Sequence, residues 1–432
     1  MSSNCHKLLR QKGLSILKEI LPQKKIQAMV NQEYPQERKR ALTGVLYIGL
    51  LIWAQIQKSI NSVDELLAVG AGQVGQPYGL GSKKLSKQSF SRRSKTLPWQ
   101  ICKQVYEYLL SVSSEMKSGN GNRFQDIYTV KLLDSTMLEV AARLIGVMAS
   151  QPTRRPDYGK PKQGQIKLKT MFNWCSRVPE LIQLKPGLNG ELSTIKGWVR
   201  KAIKRAESTI LVFDLGFFSY EFINWLIKGK INFVSRIRSN TRYEIIQQLG
   251  VNDWLVKIGI TAKYQPSSIV RLVRVKEKKR WYYYITSLMD RRKIKRRDIR
   301  LLYRYRWQIE IFFKELKHVL NIKKFFCYHP NGIKSQIYLA LSVYVLGKIL
   351  VAQSAQVHGV KVADISFARA ITATRIWCTF NSGRLFCTRV QQKAINNLLE
   401  QIYIFAYIKR KHPYHSKEAT NSLTTNTEKV SA

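Results

Sequence analysis

Three carboxylates, Asp134, Asp214 and Glu310, stand where acids are costly or unexpected. Asp134 lies inside the apolar run Tyr128–Met137 (YTVKLLDSTM), and Asp214 ends another, Thr209–Asp214 (TILVFD). Glu310 sits among arginines, lysines and aromatics in Tyr303–Lys317 (YRYRWQIEIFFKELK). Each has a plain structural explanation when taken alone. Asp134 with Ser135 and Thr136 can form a turn, and Asp214 can cap one. Glu310 can pair with Arg306 and Lys314, four residues to either side. Together they suit another purpose. A carboxylate within or ending a core strand is unfavourable unless positive charge compensates it, and a divalent metal provides that charge. Phosphodiester hydrolysis needs a nucleophile made from water or a hydroxyl, and a stabilised leaving oxygen. Two Mg2+ ions about 3.5–4 Å apart, with Mn2+ as substitute, supply both and are held by carboxylates. In that scheme Asp134 bridges the ions, and Asp214 and Glu310 each bind one.

A helix must then present Glu310 to the two strands. At about 100° per residue, Tyr303, Arg306, Glu310 and Lys317 fall within a stripe of roughly 60°. Leu302, Ile309, Phe313, Leu316 and Leu320 form a second, apolar stripe about 90° away. The helix can therefore bury one face and offer Tyr, Arg, Glu and Lys together on another. Glu315 points away from the polar stripe and is a poor metal ligand.

The composition says what such a site works on. The chain of 432 residues carries 73 Lys+Arg against 27 Asp+Glu, a formal charge of +46. An excess this large calls for a polyanion, and nucleic acid is the default because neutralised phosphates release counterions. An anionic membrane surface is the competing partner. The two long apolar runs, Ala41–Ala54 and Ile337–Ala352, are shorter than the ~18 residues a span needs, so both are expected to be buried core helices. The length is enough for two or three domains, each with its own core, and with 45% hydrophobic residues the chain is expected to fold. Cys5, Cys102, Cys175, Cys327, Cys378 and Cys387 form no CxxC pair, which points to neither a zinc site nor a disulfide framework. The opening MSSNCHKLLRQKG has no apolar signal-peptide segment. The expected setting is a reducing cytoplasm, in association with DNA.

Periodicity divides the chain. Residues 1–120 read as a helical N-terminal domain for DNA binding, with helices at His6–Ile26 and Trp99–Ser114. Between these lie a Gly-rich loop near Gly70–Gly81 and the loop LSKQSFSRRSKTLP, whose Arg92 and Arg93 suit phosphate contacts or simply a solvated basic loop. Ser118–Arg123 reads as a linker. Residues 121–237 form the first part of a catalytic core, with strands at Tyr128–Met137, Ile166–Trp174, Glu180–Leu184, Thr209–Asp214 and Ile231–Ile237. In Ile166–Trp174 the alternation puts Lys167 and Lys169 on a polar side. Helices are expected at Ser193–Glu207, capped by Ser193 or Thr194, and at Tyr220–Ile227. Residues 238–290 read as a separate β-rich insertion with strands at Ser268–Val275 and Arg280–Thr286. Residues 291–355 return to helices and carry Glu310; residues 356–432 are a helical C-terminal region, and their last stretch (ATNSLTTNTEKVSA) is a disordered tail. The class is α/β, a mixed sheet with flanking helices.

These residues resemble a known family. Tyr303, Arg306, Glu310 and Lys317 match the Y-x-x-R-x-x-x-E-x-x-x-x-x-x-K signature of the insertion-sequence-four family of DDE transposases. Asp134-Ser135-Thr136 resembles that family's first Asp motif, and Asp214-Leu215-Gly216-Phe217-Phe218 its second. The order Asp, Asp, Glu fits, and the long gap before Glu310 leaves room for a β-strand insertion. The resemblance covers about residues 40–350. It implies an RNase H-like catalytic domain, two divalent metals and cut-and-paste transposition. Water first attacks the phosphodiester at the transposon end. The freed 3′-hydroxyl then attacks the opposite strand or the target. By resemblance Tyr303 and Arg306 grip phosphates beside the cleaved end, and Lys317 contacts DNA. Trp281, which opens WYYYIT, either stacks on a flipped base or packs into the core of its own strand. The implied partners are the terminal inverted repeats and target DNA, with a homodimer pairing two ends. Two other classes share these features: a DNA-binding repressor derived from a transposase, and an RNase H-like nuclease that cuts without joining strands.

Overall fold

The computed structural model of the chain describes residues 23–37, 42–71, 85–114, 124, 127–151, 163–188, 190, 192, 194–203, 206–237, 240–260, 267–277, 279–320, 322–381 and 392–408. The helix expected before residue 23, most of the Gly70–Gly81 loop, the linker Ser118–Arg123 and the tail from Ala419 lie outside the described residues.

One nine-stranded sheet organises the molecule, in the order β3-β2-β1-β4-β5-β9-β8-β7-β6. Its first half comprises β1 (Thr129–Ala141), β2 (Gln163–Asn173), β3 (Val178–Pro186), β4 (Thr209–Phe213) and β5 (Asn232–Arg236). β1, β2 and β3 are successively antiparallel, and β4 and β5 run parallel to β1. This 3-2-1-4-5 order is the RNase H-like arrangement. The apolar strand Thr209–Phe213 is buried along its whole length, as expected of a parallel strand covered on both faces.

β6 (Tyr243–Gly250), β7 (Asp253–Ile258), β8 (Ser268–Glu277) and β9 (Arg280–Thr286) form the insertion. They are not a separate sheet. β9 pairs antiparallel with β5, Val234 opposite Thr286, so the insertion prolongs the catalytic sheet. The polar sequence of β6 hid it from periodicity. A buried ion pair fixes the insertion to the chain that follows. Arg271, fully buried, holds Asp253 through Nε (2.8 Å) and Nη2 (2.6 Å), and its Nη1 donates to the carbonyls of Leu288 and Ile294.

Helices cover both faces. On one face lie α1 (Gln23–Glu33), α2 (Gly44–Ile56), α3 (Val63–Ala71), α4 (Lys87–Thr96) and α5 (Trp99–Ser114). They share an apolar cluster with α8 (Arg296–Tyr305), α9 (Trp307–His318), α10 (Pro330–Val357), α11 (Phe367–Phe380) and α12 (Gln392–Ala406). The described N- and C-terminal helices therefore have no cores of their own, contrary to expectation. Their apolar faces meet on α10. The second cluster covers the other face with α6 (Ile195–Ala202) and α7 (Tyr220–Lys228).

The two apolar runs are core helices. Every residue of α2 is buried. The second run lies within α10, a helix of 28 residues, longer than the run itself. By length and composition α10 could cross a membrane, but 89% of its apolar window is buried inside the fold. The polar side expected on β2 is also absent. Lys167 and Lys169 are buried, and Lys169 Nζ donates to the carbonyl of Gly190 at 3.0 Å, where the chain after β3 folds over that face.

Candidate active site

Strand register brings the two aspartates level. The β1–β4 pairing runs to Leu133 opposite Phe213. One step further, Asp134 lies in β1 and Asp214 just past the end of β4. Asp134 Oδ1 accepts from the N–H of Ser135 at 2.7 Å, and its other oxygen, Oδ2, accepts from Arg306 Nη1 at 3.2 Å. Asp214 caps the short turn Leu215–Phe217, accepting from Gly216 N–H at 2.9 Å. Its structural use is thus real and occupies one oxygen.

The helix expected from Lys293 to Leu320 is two helices, α8 and α9, meeting at Arg306. Arg306 keeps right-handed helical angles, but its N–H bonds to Tyr303 O and its carbonyl accepts from Ile309 N–H, three residues away in each direction. The joint tightens the helix without ending its course. Both expected stripes survive it. Leu302, Ile309, Phe313, Leu316 and Leu320 are all buried, and the polar stripe faces β1. The Arg306 guanidinium ion-pairs with Glu310 as well as with Asp134, so it bridges a carboxylate on α9 to one on β1. Lys317 Nζ donates to Thr136 Oγ1 at 2.5 Å. Tyr303 packs on Tyr284 at 5.1 Å, and the Arg306 guanidinium lies 5.6 Å from its ring centre.

The electrostatics fit a crowded, partly dry site. Asp134 is pushed up to about 7 by burial, with Asp214 and Glu310 adding repulsion; the Ser135 N–H and Arg306 act the other way. Burial alone would depress Arg306, but Tyr303, Glu310 and Asp134 outweigh it and keep its pKa raised. Burial raises the Tyr303 hydroxyl and, with help from Lys323, lowers Lys317. Arg236 was missed by sequence reading. Continuing the β4–β5 register beyond Val212 and Val234 places it level with Asp214. Its signal was positional: it ends β5 as Asp214 follows β4. Its guanidinium lies over Tyr282 at 5.0 Å. The Nε–H groups of both Arg236 and Arg306 are buried without an acceptor.

The donor set, three carboxylates with no His or Cys, suits a hard divalent cation. As the side chains stand, no group of three His, Cys, Asp or Glu among the described residues closes on a common metal position. The Arg306 guanidinium lies between two of the donors, so binding a cation requires it to turn away.

Other sequence-derived residues fall elsewhere. LSKQSFSRRSKTLP is not a loop: most of it is helix α4, with Ser86 as its cap. Arg93 is buried, paired with Glu37 at 2.8 Å and donating twice to the Leu42 carbonyl, so its role is structural and not phosphate binding. Arg92 on the same helix is exposed. Trp281 is not core. It is 44% exposed, with the Arg274 guanidinium 4.4 Å from its ring centre. Glu315 faces away from the site, as expected, but into the protein, where it holds Lys348 and Tyr344.

Comparison with known proteins gives a family. Residues 126–346, 221 of the 432, match the transposase DDE domain. The chain is 23% identical over 322 residues to a probable transposase for insertion sequence element IS5377 of Geobacillus stearothermophilus, covering 72% of this chain and 78% of that protein. It is 24% identical over 315 residues to a putative transposase for insertion sequence element IS4SA of Synechocystis, covering 71% and 80%. A shorter match, 26% over 124 residues and 28% of the relative, is to transposase InsG for insertion sequence element IS4 of Escherichia coli. Among solved structures, a piggyBac transposase synaptic complex with hairpin DNA aligns over 98% of this chain and 90% of its own, at 15% identity and a TM-score of 0.42. A score that low adds nothing to the fold argument.

Proposed function

We propose, from the premise that the chain belongs to the transposase DDE domain family, that Asp134, Asp214 and Glu310 are its catalytic carboxylates. The protein is a DNA transposase of the insertion-sequence-four type, an endonuclease and strand transferase acting on DNA. The chemistry of this family is generally dependent on divalent metal. The observation that carries the residue assignment is the Arg306 bridge, which ties a carboxylate from the sheet to one from the covering helix.

Asp134, Asp214 and Glu310 would together hold two divalent ions, Mg2+ or Mn2+. When bound, such ions activate the attacking oxygen and neutralise charge on the leaving one. The residues of the chain do the rest. Arg306 releases Asp134 and Glu310 and turns its donors to a phosphate of the cleaved end. Arg236, with an unmet Nε–H beside Asp214, takes a neighbouring phosphate oxygen. Lys317 leaves Thr136 for the DNA backbone, and Tyr303 walls the site on the insertion side. A two-step course follows, with water opening the transposon end and the freed 3′-hydroxyl attacking the opposite strand or the target. Two ends must be paired, so the working species is a homodimer on DNA, found wherever the cytoplasmic chromosome is accessible.

Asp134→Ala and Asp214→Ala are expected to abolish end cleavage in Mg2+ while leaving binding to a transposon-end duplex within about threefold. Excess chelator is expected to do the same to the wild type. Cleavage surviving either aspartate change would overturn the assignment.

A further inference from the structure

We infer that α4 is the helix that reads the sequence of the transposon end, laid in the major groove of duplex DNA. The inference rests on the transposase reading for the identity of its partner. It does not rest on the carboxylate assignment.

Helix α4 has two unlike faces. Phe90, Arg93 and Ser94 are buried on one. Lys87, Gln88, Ser91, Arg92 and Lys95 are exposed on the other. At about 100° per residue, Gln88, Ser91, Arg92 and Lys95 fall within roughly 100° of arc. These are residue types that read base edges and phosphates. Arg pairs with guanine and Gln with adenine through two hydrogen bonds each, Ser serves either, and Lys takes guanine or phosphate. The helix contains no acid, and the two acids that reach it are both paired, Asp64 with Lys87 at 2.7 Å and Glu37 with buried Arg93 at 2.8 Å. A helix of 10 residues spans about 15 Å, enough for three or four side chains to reach the groove floor.

A solvated basic helix would need no firm mounting, but α4 has one. Arg93 is bonded to Glu37 and to the Leu42 carbonyl. Phe90 packs on Tyr47 at 5.2 Å. The Asn331 side-chain amide donates to the carbonyls of Ser94 and Leu97 at the C-terminal end of α4, and its oxygen accepts from Trp99 N–H. Gly332 packs so closely on Cys327 and Ser94 that a Cβ there would lie 2.6 Å from Cys327 Cβ. Asn331 and Gly332 are the first turn of α10, which follows the helix bearing Glu310. The reading face is thus held at a fixed place relative to the cutting site. Such a mounting sets a constant spacing between the bases read and the bond cut.

The test is selection of binding sites by the full-length protein from a pool of randomised duplexes, in chelator so that nothing is cleaved. The wild type is expected to enrich a motif. Arg92→Ala and Gln88→Ala should each relax one position and weaken binding to the selected duplex by roughly 5- to 100-fold, while affinity for random duplex changes by less than about threefold. Arg92→Lys, which keeps the charge but not the paired geometry, should relax the same position as Arg92→Ala. Asp134→Ala should enrich the wild-type motif. Lys103→Ala, at a half-exposed lysine of α5 paired with Glu107, should do so too. The inference fails if the wild type enriches no motif. It fails equally if the α4 variants enrich the wild-type motif at undiminished affinity, or if Lys103→Ala relaxes it as much. Cleavage surviving Asp134→Ala would overturn the carboxylate assignment and leave that of α4 standing.

Discussion

Glu310 and Glu315 lie five residues apart on α9, and replacing each by Gln separates chemistry from architecture. The two changes alter net charge identically and keep side-chain shape. Their surroundings are opposite. Glu315 Oε2 accepts from Lys348 Nζ at 2.9 Å and from the Tyr344 hydroxyl at 3.1 Å. The pair is largely dry, with side chains 17% and 18% exposed. Burial already lowers the Lys348 pKa, and Glu315 is what opposes that fall. Removing the carboxylate leaves an ammonium buried without its counter-charge, a change that typically costs about 3–5 kcal/mol. Lys348 can shed its proton to soften the loss, so we expect about 3 kcal/mol. Glu310 is different. Its side chain is 33% exposed and faces Arg306 with two other carboxylates nearby. Losing one of three like charges offsets the lost ion pair, and stability should change by less than about 1 kcal/mol. Guanidinium-induced unfolding measures both stability changes, and end cleavage in Mg2+, normalised to folded protein, measures the chemistry. Glu310→Gln should lose cleavage by at least about a thousandfold at near-normal stability. Glu315→Gln should unfold at clearly lower denaturant yet cleave normally below it. Equal cleavage by the two variants would remove Glu310 from the catalytic set, and equal stability would refute the buried-pair argument.

Other expectations follow from the same contacts. Asp134 is raised when folded, so the native state holds an extra proton between about pH 4 and 7 and stability falls as pH rises through that window. Asp134→Asn should therefore melt higher than the wild type at pH 8 in metal-free buffer, with the advantage gone at pH 4; an unchanged difference across that range would contradict it. Arg93→Ala should cost about 2–4 kcal/mol by stranding Glu37 and the Leu42 carbonyl, whereas Arg92→Ala should leave the unfolding midpoint unmoved. Binding to random duplex should weaken with salt at a log–log slope of about −0.9 per phosphate neutralised, and a flat titration would argue against a basic DNA-binding surface.

Much of this architecture was legible because its signals are local. The apolar run ending in Asp214 and the stripe from Tyr303 to Lys317 need only short-range periodicity to be seen, and both lie where expected. The residues that misled share another property: their environment is set by distant segments. Lys167 and Lys169 alternate like solvent-facing residues, yet the chain after β3 covers them. Arg93 looks like a phosphate ligand until Glu37 arrives from 56 positions away (93 − 37). Strands β6 and β7 lack strong alternation, and pairing of β7 with β8 and of β6 with β7 supplies what their sequence does not. Arg236 carries no motif at all, and only the register between β4 and β5 reveals its position.

The burial of α2 against α10 has a consequence for how the chain is made. α2 ends at Ile56 and α10 begins at Pro330, 274 residues later (330 − 56). A ribosome adding about 5–20 residues per second takes roughly 15–55 s to cover that distance. For most of that interval the thirteen-residue apolar α2 has emerged while its principal partner is still unmade. A chain truncated before Pro330 lacks the helix that covers much of α2 and is expected to be prone to aggregation. Only a chain translated through α10 carries the helix on which both α2 and the C-terminal end of α4 are seated.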